Sequence, residues 1–384
     1  MEFKFTKEQL MVKKTIKEFA EKEVKPYASE IDQEPRFPGE IVKKMSKLGL
    51  LGMSIPKKYG GSELDNISQT LIMEELSKAC ASTSVTMGAH TSLCCYPIVN
   101  HGTEEQKQRF LPKLASGEYL GAFALTEPEA GSDAVNVQTT AVKDGDEYII
   151  NGSKIFITNG GKAEFINIVT TTDPAARHKG LAIFGIETKK QKGFSVGKKE
   201  DKLGLRGSNT SEIIFQDMRV PKENLIGGRE GEGFKIAMNV FNSGRVGIGV
   251  QGVGIAQAAL DECLKYVQER EQFGRKLHKF QAIQFMLSEM ATKIEAARLL
   301  CYKAAYIKDQ KENYIAAAAM AKLYGSDIAM DVTRKAIQIH GGYGFIKDYP
   351  LERFYRDAKI TEIYEGTSEI QKLVIAAQLL GKGF

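Results

Sequence analysis

The stretch Tyr148-Ile-Ile-Asn-Gly-Ser-Lys-Ile-Phe-Ile-Thr158 decides how this 384-residue chain folds. Two short β-rich runs, Tyr148 to Ile150 and Ile155 to Ile157, flank Asn151-Gly152, a dipeptide that favours a tight turn between strands. The same texture continues outward. Asp144-Gly145 lies upstream as a second turn signal, and Phe165 to Val169, Leu181 to Ile186 and Ile213 to Phe215 follow as further apolar runs. No helical pattern separates them between about Tyr119 and Ile226. The region therefore predicts an antiparallel barrel or sandwich rather than a parallel α/β sheet.

On either side the period changes. From Thr6 to about Gly117, Leu10, Ile16 and Phe19 recur near helical spacing, and Thr6 with Gln9 three residues later reads as a capping box. Pro35, Pro38, Pro56 and Gly60-Gly61 punctuate this part. From Gly233 onward the pattern is helical again, and the Ala-rich stretch Ile315 to Met330 favours helix strongly. The fold class is α+β with several domains: helical over 1–118, β over 119–230 and helical over 231–384. Such a length suits two or three domains.

Composition narrows the function. Hydrophobic residues at 42% and charged residues at 26% support an ordinary globular core. A net charge of +5, with no stretch interleaving basic residues and aromatics, argues against nucleic-acid binding. Cys80, Cys94, Cys95, Cys263 and Cys301 form no C-x-x-C pair and are odd in number, which argues against a disulfide framework or zinc site. No metal is expected. No apolar run reaches membrane-spanning length, and the opening MEFKFTKEQL shows no leader pattern. A cytoplasmic enzyme is the expectation.

Several segments invite a chemical reading. Gly247-Ile-Gly-Val-Gln-Gly252 matches the dinucleotide fingerprint G-x-G-x-x-G, but it lacks the preceding strand and sits among helices, where such glycines let two helices approach closely. Leu125-Thr-Glu-Pro-Glu-Ala-Gly-Ser-Asp133 is a polar, turn-rich loop suited either to a flavin edge or phosphate, or simply to the surface. Gln338-Ile-His-Gly-Gly-Tyr-Gly344 ends a helix on glycines, and His340 there reads as a structural histidine. Glu365 differs from the other acids in its setting, between Ile363, Tyr364 and Gly366. That setting would raise its pKa toward the range of a working base.

Taken together these segments resemble the acyl-CoA dehydrogenases, from Phe5 to Leu380, most closely those of the short-chain, butyryl-CoA type. The matching stretches are Leu125 to Asp133, Lys154 to Gly160, Lys198 to Gly207, Gly233 to Met238, Gln338 to Gly344 and Asp357 to Gln371. The resemblance implies a C-terminal four-helix bundle and FAD lodged between it and the β domain, in a homotetramer whose subunits share their flavin sites. It implies that Phe123, Leu125, Thr126, Ser132, Phe156 and Thr158 hold the isoalloxazine and nearby phosphates. It assigns Arg270, Gln281, Gln338, Gly341 and Gly342 to a neighbour's FAD, and Thr367 and Glu369 to the adenylate side. For the acyl-CoA it implies Ser132, Asn242, Arg245, Tyr364 and Gly366. An Asp is usual where Asn242 stands, and the Gly227-Gly228-Arg229 turn is one residue longer than usual.

The reaction implied is α,β-dehydrogenation to a trans-2-enoyl-CoA. Glu365 takes the α-proton, while its N–H and a ribityl hydroxyl of the flavin polarise the thioester carbonyl. Electrons then pass to electron-transferring flavoprotein. Alternatives that keep the fold are an enoyl-CoA reductase, an enzyme for branched or cyclic acyl-CoA, an oxygen-using enzyme, and a non-catalytic flavin- or CoA-binding scaffold. Leu93 and Tyr96, three apart in the segment Met87 to Pro97, are expected to share one helix face and to raise the floor of the acyl pocket; simple core packing is the other reading.

Overall fold

The structure, a computed structural model, describes residues 4–381. Met1, Glu2 and Phe3, part of the opening stretch read above as lacking a leader, lie outside it. Among the described residues the longer helices are α1 (Lys7–Phe19), α2 (Asn66–Ala79), α3 (Glu104–Ser116), α4 (Gly233–Glu269), α5 (Gln281–Asp309), α6 (Ile315–His340) and α7 (Ser368–Leu380). The strands of the main sheet are β1 (Gly121–Ala124), β2 (Thr140–Asp144), β3 (Glu147–Thr158), β4 (Phe165–Thr171), β5 (Leu181–Glu187), β6 (Phe194–Lys199) and β7 (Thr210–Pro221). Helix, strand, helix is the succession expected. The start of α1 is the capping box: Gln9 N–H donates to Thr6 Oγ1 and Thr6 N–H to Gln9 Oε1. Thr103 and Gln106 repeat it at α3.

The sheet runs β1-β4-β2-β3-β7-β6, with β5 paired to β4. It is mixed rather than wholly antiparallel. β1 lies parallel to β4, with Gly121 opposite Phe165, and β2 touches β4 in parallel at Thr140 and Thr171. The cause is the entry of the chain. β1 arrives from α3, and the long 125–139 loop carries the chain away from it, so no hairpin forces an antiparallel neighbour.

A second expectation is corrected at Asn151-Gly152. Asp144-Gly145 does turn the chain, between β2 and β3. Asn151-Gly152 does not: β3 runs through it unbroken, paired to β7 on both sides, with a register shift between Ile150 and Gly152. Gly152, at φ 143°, forms a β-bulge. The long β7 supplies partners for both halves of β3, and that continuity outweighs the local turn preference.

The C-terminal helices form a bundle around α4 and α6, whose buried faces share one core with α2 and α5. The G-x-G-x-x-G stretch lies inside α4, as the helical reading required. A Cβ on Gly249 would come 2.6 Å from the Ala321 carbonyl oxygen of α6, and one on Gly252 would overlap the Gly325 carbonyl. These glycines set how closely the two helices cross. No helix among the described residues is long and apolar enough to cross a membrane, and no group of His, Cys, Asp and Glu there could hold a metal.

Candidate active site

Glu365 sits in the turn between the 3-10 segment Ile360–Glu362 and α7. Its φ of 52° is left-handed, a conformation that costs a non-glycine residue about 1 kcal/mol or more and persists only when its surroundings hold it. Three contacts do so. Gln371, fully buried in α7, donates its Nε2 to the Glu365 and Gly366 carbonyls at 3.3 and 2.8 Å. Ser326 Oγ of α6 donates to the Thr361 carbonyl at 2.7 Å. Thr367 Oγ1 caps α7 by accepting from the Ile370 N–H.

The carboxylate points at α4. A Cβ on Gly244 would overlap Glu365 Oε2 and stand 3.1 Å from Leu93 Cδ2, so the helix is bare just where the acid packs. Oε2 is buried without a hydrogen-bond partner. Burial raises the carboxyl to about 7, against the charges of Lys322 and Arg245, which pull it down. A base poised there is half ionised near neutral pH. The backbone N–H of Glu365 makes no hydrogen bond among the described residues and is free to donate.

Facing it is a cavity of about 120 Å³. Phe123, Leu125, Thr126, Phe156, Ile157 and Thr158 line one wall; Leu93, Phe241, Gln251 and Tyr364 lie among the others. The Tyr364 hydroxyl donates to Gln251 Oε1, and Gln251 Nε2 donates to Ser84 Oγ and the Ala81 carbonyl. Phe156 is 59% exposed and has a left-handed φ of 58°, an aromatic face that the chain leaves uncovered. A buried ion pair anchors this wall. Lys154 Nζ donates to Glu127 Oε1 at 2.6 Å and to the Leu125 carbonyl at 3.0 Å, while Glu127 also accepts from the N–H groups of Gln138 and Thr139. Removing one member strands the other charge inside. Lys154→Met should therefore lose about 3–5 kcal/mol of stability in urea denaturation, and an unchanged midpoint would show that the pair holds nothing.

The structure thus brings together Phe123, Leu125, Thr126, Phe156, Thr158, Tyr364 and Glu365 of the residues singled out in the sequence. Ser132 is exposed on the 125–133 loop, outside the cavity lining. Asn242 and Arg245 are buried in α4, where Arg245 Nη1 donates to Asn242 Oδ1 at 2.6 Å. Gly366 and Thr367 adjoin Glu365, and Glu369 is exposed on the first turn of α7. Arg270, Gln281, Gln338, Gly341 and Gly342 are elsewhere. Arg270 closes the far end of α4, roughly 40 Å from Gly244 at 1.5 Å per residue, with its guanidinium 5.5 Å from the Tyr343 ring. His340 is structural, stacked on Tyr266 at 4.0 Å.

Leu93 lines the cavity and Tyr96 does not. Residues Ala89–Cys95 are wound as a π-helix, whose wider turn breaks the three-residue alignment expected of an α-helix. The Tyr96 ring lies instead near the Lys308 ammonium, at 5.4 Å. Sequence reasoning missed Gly244, Gln251, Lys322 and Gln371. Gln251 lay inside the G-x-G-x-x-G stretch and Gln371 closed the matching stretch from Asp357, neither with a role assigned; Gly244 and Lys322 gave no signal beyond a helical pattern.

Comparison with known proteins places this geometry. Residues 6–118, 122–218 and 231–380 match models described as the acyl-CoA dehydrogenase N-terminal, middle and C-terminal domains. The short-chain specific acyl-CoA dehydrogenase of Clostridium acetobutylicum is 55% identical over 379 residues, 99% of this chain and 100% of that one. The solved butyryl-CoA dehydrogenase of Megasphaera elsdenii superimposes with a TM-score of 0.97 at 46% identity, over 99% of this chain and 100% of its own. A chain in the solved structure of the electron transferring flavoprotein of Acidaminococcus fermentans, described in connection with flavin-based electron bifurcation, does so with a TM-score of 0.97 at 51% identity, over 99% and 100%.

Proposed function

Because the chain belongs to the acyl-CoA dehydrogenase family, we propose that it dehydrogenates short-chain acyl-CoA to the trans-2-enoyl-CoA, with Glu365 as the base. The observation that carries this reading is the Glu365 carboxyl, raised to about 7 and packed against Gly244 in a cavity that Phe123, Leu125, Thr126 and Phe156 to Thr158 also line. We take 1–118, 119–230 and 231–384 as the three domains, divided in the loops before β1 and before α4.

The residues present suit FAD. Phe156 offers an uncovered aromatic face, and Leu125, Thr126 and Thr158 lie beside it on a rigid strand and loop. FAD bound on that wall supplies the acceptor for the β-hydride. The protein's own part is to orient and deprotonate. The Glu365 N–H donates to the thioester carbonyl, which makes the α-proton more acidic, and the Glu365 carboxylate receives that proton. Leu93, Phe241 and Tyr364 keep the reacting carbons away from water. Arg270 lies roughly 40 Å along α4 from Gly244, and neither it nor Gln281, Gln338, Gly341 or Gly342 lines the cavity, which supports flavin sites shared between copies in a homotetramer. Electron-transferring flavoprotein is the acceptor this reading names. Anaerobic mixing of the holoenzyme with butyryl-CoA tests the activity: flavin bleaching with release of the trans-2-enoyl-CoA is expected, and no bleaching refutes it.

Chain length follows from the same walls. Leu93 and the hydrogen-bonded pair Gln251–Tyr364 bound a small cavity. Activity should be best on four-carbon acyl-CoA, weaker on six and slight beyond eight. Gains of about 1–3 kcal/mol per methylene grade neighbouring lengths, while clashes reject long chains. Leu93→Ala should shift the preference upward in steady-state kcat/KM across an acyl-CoA series, whereas Tyr96→Ala should not. A wild-type optimum at eight carbons or longer would overturn the short-chain reading.

A further inference from the structure

Lys322 of α6 is fully buried, and its Nζ has no hydrogen-bond partner. Lysine is almost never buried so completely unless paired. Two more buried polar atoms without partners belong to groups whose charges act on one another, Glu365 Oε2 and Arg245 Nε. The backbone explains why Lys322 is enclosed. Gly249 and Gly252 bring α4 against Ala321 and Gly325, so Lys322 lies at the closest crossing of the two helices. One turn further along α6, Ser326 holds the Thr361 carbonyl at the start of the base loop. Residues 322 and 326, four apart, share a helix face. The face that fixes the loop also carries the ammonium.

We propose that Lys322 is a positioning residue for Glu365: its buried ammonium, with the Arg245 guanidinium beside it, keeps the carboxylate charged and turned into the cavity. The inference rests on the reading of Glu365 as the base. The charged groups around Lys322 are Glu365, Arg245, Asp327, Glu362 and Glu369, and around Glu365 they are Lys322, Arg245 and the Tyr364 phenol. Both cations favour ionised Glu365, while burial favours its neutral form. Asn242 binds Arg245 without neutralising it. Both cations act on Glu365; Asp327, Glu362 and Glu369 also act on Lys322, whereas Glu365 is the one carboxylate that acts on Arg245. Negative charge developing on a thioester then arrives at a site already biased to receive it.

The test uses the holoenzyme with Lys322→Gln, Lys322→Met and Lys322→Arg. Difference infrared titration follows the buried carboxyl band that Glu365→Gln removes, and the pH profile of kcat/KM is taken in parallel. With Gln or Met the band midpoint should rise by about one pH unit or more, and the acid limb of the profile should move with it. Lys322→Arg should restore both toward wild type. The Gln and Met variants should fold with an undiminished thermal midpoint, because an unpaired buried ammonium has been removed. A midpoint that stays put in folded Gln and Met variants overturns the inference, as does failure of both to fold. A shifted band with an unmoved acid limb supports the charge coupling and instead removes Glu365 from its role as the base.

Discussion

Glu365→Gln should keep its yellow FAD and still bind acyl-CoA, yet bleach under butyryl-CoA about two to four orders of magnitude more slowly, the usual worth of a positioned general base. The amide preserves shape and the backbone donor and removes only the proton acceptor. Stopped-flow bleaching near the wild-type rate would end the assignment. The same variant carries a stability signature of opposite sense. Raised from 4.5 to about 7 by burial, the native carboxyl binds its proton more tightly than the unfolded chain does. Its contribution is most favourable below pH 4.5 and is lost as pH rises through 7, a swing of roughly 3 kcal/mol. Glu365→Gln lacks that loss. Its thermal midpoint should match wild type near pH 4.5 and exceed it at pH 8, so the buried carboxyl weakens the fold where it is ionised.

Gly244→Ala should be nearly as damaging as loss of the base, although it adds one methyl group far from Glu365 in sequence. That methyl would occupy the place of Glu365 Oε2, with Leu93 closing the other side. Alanine itself favours the helix, so α4 should form normally and the carboxylate should give way. The left-handed turn at Glu365, tied through Gln371 and Ser326, leaves little room for a compensating shift. A displacement of about 1 Å at a reacting group costs on the order of a hundredfold in rate. A fall in kcat of that order is expected, with helical circular dichroism and flavin content unchanged. Wild-type turnover would show that the loop is free to move.

The fold was legible where local chemistry decided it. Thr6 with Gln9, the Ala-rich start of α6 and the β-rich runs around Phe165 and Leu181 each formed the element their own residues favour. The reading failed where a distant partner decided. Asn151-Gly152 signals a turn, but β7 pairs along both sides of it and keeps the strand whole. Leu93 and Tyr96 would share a face in an α-helix, and the π winding of Ala89–Cys95 parts them. The site shows the same division. Glu365 stood out through its apolar neighbours and a quoted stretch. Gln371 bonds its carbonyl from α7 and Lys322 acts on its charge from α6, and neither residue says in sequence what it will face across the core.

The span of α4 has a genetic consequence. One helix carries Gly244, against Glu365, at one end and Arg270 at the other, roughly 40 Å apart. If each flavin is held by the first end of one copy and the second end of another, no single chain owns a complete site. Two alleles damaged at opposite ends of the helix, each inactive alone, would then complement one another in a mixed assembly, because some of its composite sites would draw an intact half from each.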